Sequence, residues 1–166
     1  MSTEVWLRGP VPGIAPSLQP VAHALIAAQE EVDALAPPVP VDVLWTRRGR
    51  AASAGFHLLH LAGALDRLFT YARGEALSDA QKAAARAETQ DHPSKDGQAL
   101  AAIVSEQIER AMAQIRATDP STFLDERKIG RAGLPSTVIG CLFHGAEHTT
   151  RHAGQFISTV KILTQD

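Results

Sequence analysis

Three histidines, His144, His148 and His152, stand four residues apart in FHGAEHTTRHAGQF, and two more, His57 and His60, stand three apart in FHLLHLAGAL. Near neutral pH imidazole moves protons or ligates metals, and the spacing helps to say which. On a helix turning about 100° per residue, His144 and His152 lie roughly 40° to either side of His148, and Cys141 and Gln155 lie within about 20° of it. A rise of about 1.5 Å per residue still separates the backbones of His144 and His152 by roughly 12 Å, too far for both to join His148 on one ion. One i,i+4 pair, and not the triplet, is the credible chelate. Such a pair can bring two ring nitrogens to the roughly 2.0–2.1 Å that zinc requires, and neutral imidazole also suits nickel, copper or ferrous iron. Two ligands seldom suffice, and His57 and His60 share a face from which a facing helix can supply a third. Three protein ligands leave coordination positions for water or substrate, which distinguishes a catalytic metal site from a closed structural one.

The elements that must position these residues are helices. The opening GPVPGIAPSLQP is rich in Pro and Gly and reads as an irregular arm. From Ser17 to Leu35, Val21, Leu25, Ala28, Val32 and Leu35 recur at spacings of three and four, the period of an amphipathic helix, which the run APPVPV ends. A second helix starts at Ser53 as N-cap and runs to Gly74, carrying His57 and His60. LSDAQKAAARAETQ predicts a shorter polar helix or ordered loop capped by Ser78 or Asp79. Leu100, Ile103, Val104, Ile108, Met112 and Ile115 form the apolar stripe of a long third helix over 94–117, ending before Asp119-Pro120. TFLDERKIGRAGLP is a polar connection with room for a short strand-like stretch, and the last helix covers 136–163. Four long helices without a convincing alternating strand pattern predict an all-α, four-helix bundle, with the extra short helix or loop between helices 2 and 3. At 166 residues the chain is expected to form one domain over 1–166.

Composition narrows the function classes. A formal net charge of -2 offers no electrostatic footprint for nucleic acid. One cysteine, Cys141, precludes an intramolecular disulfide and suits a reducing compartment. The N-terminus MSTEVWLRGPVPG lacks a basic region followed by an apolar one, and no run of about 18 apolar residues occurs. A soluble, cytoplasmic protein without membrane partners is the expectation.

Two segments carry a family resemblance. FHLLHLAGALDRL looks like the second helix of the DinB/YfiT-like superfamily, and HTTRHAGQF is similar to that family's terminal pattern of H-x-x-x-H, one residue, Gly and Gln. The resemblance spans the chain from the first helix to the C-terminus and implies a bundle of four main helices around a three-histidine site for a divalent transition metal, whether zinc, nickel or iron. Carried over by position, it implies His60, His148 and His152 as ligands. His144 and His57 then each lie about one turn before a ligand, as wall groups or hydrogen-bond partners. Arg151 stands where many relatives have a second histidine, and Ala153 where Arg is common, so a relative's substrate specificity does not transfer.

The remaining polar residues have plainer readings. Gln155 can orient water at the ion or bond backbone. Cys141 suits the core. Glu147 points about 100° away from His148 and reads as a solvated or interhelical charge. Arg67, on the His60 face, either attracts an anionic substrate or pairs with an acidic side chain, the pairing being preferred. His23 and His92 read as structural or exposed.

Three functions compete on these residues, and no catalytic side chain is assigned. A metal-dependent enzyme would use the ion to activate water or a small thiol, and the resemblance implies hydrolase and thiol S-transferase branches. Its partner would be a small-molecule thiol or a hydrolysable substrate. A non-catalytic metal-binding or stress-related bundle would use the ion as a brace. A metal-free bundle would satisfy the histidines by hydrogen bonds or water. The alanine-rich third helix permits the close approach of a homodimer.

Overall fold

A computed structural model describes residues 3–164, so the outermost residues of the expected domain, 1–2 and 165–166, lie outside the described range. Six α-helices follow in order: α1 (Gln19–Leu35), α2 (Val41–Trp45), α3 (Ala54–Ala72), α4 (Asp79–Ala87), α5 (Gly97–Ala117) and α6 (Val138–Thr164). A two-stranded antiparallel hairpin, β1 (Glu126–Ile129) and β2 (Leu134–Thr137), precedes α6. The four long helices α1, α3, α5 and α6 pack as a bundle in which α1 lies opposite α3 and α5 opposite α6, with the most extensive interface between α3 and α6. The fold is thus the all-α bundle that the apolar periodicity predicts.

Local chemistry explains most boundaries. Ser53 caps α3 by accepting a hydrogen bond from the Phe56 amide, and Gly74 follows the helix at a φ of 79°, a conformation that costs a residue without Cβ little. The expected polar segment is a helix. Ser78 caps it in a capping box, its hydroxyl accepting from the Gln81 amide while the Gln81 side chain accepts from the Ser78 amide. The helix expected over 94–117 begins three residues later, because the Asp96 carboxylate caps it by accepting from the Ala99 amide at 2.8 Å. The last helix begins at Val138 because Pro135 and Ser136 are in β2, opposite Lys128 and Arg127. The short α2 is absent from the sequence-based reading: the APPVPV run ends α1 as expected, but Pro40 then serves as N-cap of a new turn.

The bundle interior is one continuous apolar cluster to which all four long helices contribute, among them Leu25, Leu58, Leu65, Phe69, Leu100, Ile108, Leu142 and Phe156. Each large side chain removed from water there stabilises the fold by about 1.5–3 kcal/mol before the entropy of ordering is counted. Close approach of α3 and α6 depends on Gly145, where a Cβ would lie 2.8 Å from the Phe69 ring. That contact sits three residues before His148, so it sets how near the α6 histidines come to α3. Among the described residues no helix is long and apolar enough to cross a membrane.

Candidate metal centre

The rotation of α3 that buries Leu58, Leu61 and Leu65 also turns His57 and His60 toward α6, and the rotation of α6 that buries Ala146, Ala153 and Phe156 turns His148 and His152 toward α3. One ring nitrogen from each of His60, His148 and His152 lies within 4.8 Å of the other two. His60 Nε2 and His148 Nε2 are 3.1 Å apart, and the His152 ring centroid is 4.6 Å from that of His60 and 4.5 Å from that of His148. His57 stands behind this group, buried, with its Nδ1 3.1 Å from Nδ1 of His152. Phe56 stacks on His60, ring centroids 5.2 Å apart and nearly parallel at 9°, which fixes the plane of the imidazole.

Below His60 lies Glu88, just past the end of α4. Its Oε2 accepts from His60 Nδ1 at 2.8 Å, and its two oxygens accept from Arg67 at 2.5 and 3.2 Å. Glu88 is 6% exposed, so the desolvation of its carboxylate must be offset by these donors. Burial pushes its pKa up, but the hydrogen bonds from His60 and Arg67, with their charges, more than reverse this and hold it below the usual carboxylate range. Glu88 is therefore an anion, and an anion accepts only. The proton between it and His60 sits on Nδ1, so in the neutral ring the lone pair is on Nε2, which faces His148.

The donor set fits a divalent transition metal. Two nitrogens about 2.0–2.1 Å from a tetrahedral ion would lie roughly 3.3 Å apart, close to the observed separation of the two Nε2 atoms. Burial, followed by the charge of neighbouring histidines, depresses His148 to about 4 and His152 to about 3. Both are neutral at physiological pH, the form that ligates. His148 Nδ1 is a buried side-chain nitrogen without a hydrogen-bond partner among the described residues.

Other residues singled out in the sequence are dispersed. His144 is half exposed and pairs with Glu147 at 3.2 Å, its ring centroid 5.6 Å from that of His148. Glu147 stays on the surface of α6, bonded to Arg151 and His144, so it is a solvated charge that pairs within its own helix and not between helices. Gln155 is exposed and makes no hydrogen bond to the histidines among the described residues. Cys141 is buried near Ser136, and burial raises its thiol pKa. Arg67 pairs with an acidic side chain, as preferred from the sequence. His23 bonds the Gly9 carbonyl and His92 that of Ala87.

Glu88 is the functional residue that sequence reasoning missed. An acid at the end of a polar alanine-rich helix looks solvated. The faint signal is Gly63, three residues after His60: a Cβ there would lie 2.0 Å from Glu88 Oε1, so the position is open because the carboxylate fills it.

No curated protein sequence matches the chain. The sequence profile of the DinB superfamily does match, over residues 24–156 of 166, a span that takes in α3, α4 and the histidine-bearing part of α6. The helical bundle, the histidine cluster at the contact of its second and last long helices, and this match over most of the length place the chain in the DinB superfamily, to which it belongs.

Proposed function

We propose that this protein is a metal-dependent enzyme of the hydrolase or thiol S-transferase type, with His60, His148 and His152 as ligands of one divalent transition metal. The observation that carries the reading is the convergence of three ring nitrogens from two helices, with His148 and His152 kept neutral by burial. A bound ion supplies Lewis acidity, lowering the pKa of a water or small thiol at its open position.

The chain's own residues supply placement. Buried His57 closes one side of the cluster and half-buried Phe56 covers a face of His60, while His60 and His148 retain partial exposure, which gives a small substrate a side from which to reach the site. His57, buried against His152, holds that ring by the contact between their Nδ1 atoms. Arg151 and His144 lie on the exposed side and would meet the substrate's polar group. A cytoplasmic protein acting on a small thiol or hydrolysable substrate is the setting this chemistry suits.

The test is turnover by protein reconstituted with zinc, nickel or iron, assayed with small thiols plus electrophiles and with esters and amides. Activity that requires one of the metals and is lost in His148→Ala supports the reading. The alternative is a bundle that uses the ion as a structural brace, favoured by the ligands' position on the most extensive helix contact, α3 with α6. In that case chelation lowers the melting temperature strongly while turnover stays at background.

A further inference from the structure

The buried carboxylate of Glu88 has a role that stability alone does not account for. Within α4 itself no side chain is buried, and the segment is held to α3 by polar anchors: Gln81 donates to Asp66 at 2.7 Å and to Thr70 at 2.8 Å, and Glu88 accepts from Arg67 and His60. A helix kept only to cover α3 would cover it with apolar side chains, because burying a carboxylate costs several kcal/mol unless every lone pair finds a donor. Here the donors are fixed in place. Arg67 takes Oε1 at its shorter distance, which leaves Oε2 for His60 Nδ1, and Gly63 provides the space.

We propose that Glu88 is the positioning residue of His60: carried in by α4, it holds the proton on Nδ1 and so presents the Nε2 lone pair to the metal. Arg67 fixes the carboxylate, and Gly63 admits it. The inference rests on the metal site proposed above, but the tautomer it specifies exists without metal. A partner of this kind on the far nitrogen of a ligand imidazole typically changes metal affinity by about 10–100-fold.

The experiment combines two readouts on full-length protein: long-range 1H–15N spectra of the histidine rings in metal-free protein, and zinc affinity by competition with a chromophoric chelator. Two variants are compared with wild type. Glu88→Gln keeps the shape but offers a single acceptor oxygen where donors from Arg67 and His60 converge. Gly63→Ala leaves every polar group intact but puts a methyl 2.0 Å from the Glu88 oxygen, so the carboxylate must leave.

The expected result is an Nδ1–H tautomer for His60 in metal-free wild type, mixed tautomers in both variants, and zinc binding weakened about 10–100-fold with helicity unchanged. A helix that merely props up the fold would move neither the ring spectrum nor the affinity of a variant that stays folded. An Nε2–H tautomer for His60 in wild type, or unaltered zinc affinity and spectra in Glu88→Gln, would overturn the proposal. If Glu88→Gln does not fold, the wild-type spectrum and Gly63→Ala decide. A wild type that shows the Nδ1–H tautomer but binds no zinc would refute the metal site while upholding the Glu88–His60 hydrogen bond, so the two failures are separable.

Discussion

α4 and α5 both pack on α3, and they do so by opposite chemistries. α5 is joined through Leu100, Val104, Ile108, Ala111 and Ile115, side chains that the bundle interior takes up whole. α4 is joined through an amide and a carboxylate, at Gln81 and Glu88. Apolar contact is non-directional and tolerates small shifts, whereas a hydrogen bond fixes an atom to within tenths of an ångström. The apolar side of α3 therefore carries stability, and its polar side carries the precision that a metal ligand needs.

Substitutions should separate the two roles. Ile108→Ala on α5 should destabilise the protein by about 2–5 kcal/mol, measured by urea denaturation, because it leaves a cavity in the packed interior. Metal content of the folded protein should stay at the wild-type value; a parallel loss of metal would mean that the two sides of α3 are not independent.

Acidification should act next, and only through the histidine side. His148 and His152 titrate at about 4 and about 3 in the folded protein against an ordinary value of 6.5. The unfolded chain thus takes up protons first, and stability present above pH 6.5 is lost as the pH falls toward those folded values. Metal-free protein should melt at a lower temperature at pH 5 than at pH 7.5, with the difference reduced in a His148→Ala, His152→Ala double variant. An unchanged difference would place the acid sensitivity elsewhere.

Gln81→Ala removes the capping box and both anchors at the start of α4 and should cost about 1–2 kcal/mol. Its effect on zinc affinity should be smaller than that of Glu88→Gln, since Glu88 remains bonded to Arg67. The smallest effect belongs to His144→Ala, a half-exposed side chain outside the convergent group, which should change stability by no more than about 0.5 kcal/mol and leave zinc affinity intact. Loss of binding in that variant would show that the wrong pair of α6 histidines had been assigned.

How legible these features are in the sequence follows from how local their causes are. The four long helices announce themselves through apolar periodicity and through signals such as the Ser53 cap, because each is decided within a few residues. That one i,i+4 pair on α6 could chelate is local too, one turn of one helix, but the resemblance chose His148 and His152 over His144 and His148. His60 needed a facing helix, and the resemblance rather than periodicity distinguished it from His57. Glu88 was not legible: its burial depends on α4 folding back 21 residues to Arg67 and 28 to His60, and nothing in DAQKAAARAE marks that acid from its neighbours. The short α2 was hidden by its prolines, which end one helix and cap the next.

His60, His148 and His152 are proposed to hold one ion. Elemental mass spectrometry on untagged protein tests it most directly, for wild type, His60→Ala, His148→Ala and His152→Ala, with His144→Ala as control. The expected result is about one transition-metal ion per chain in wild type and control, and its loss from the three ligand variants. A wild type that is empty as purified and takes up no zinc, nickel or iron on reconstitution would contradict it.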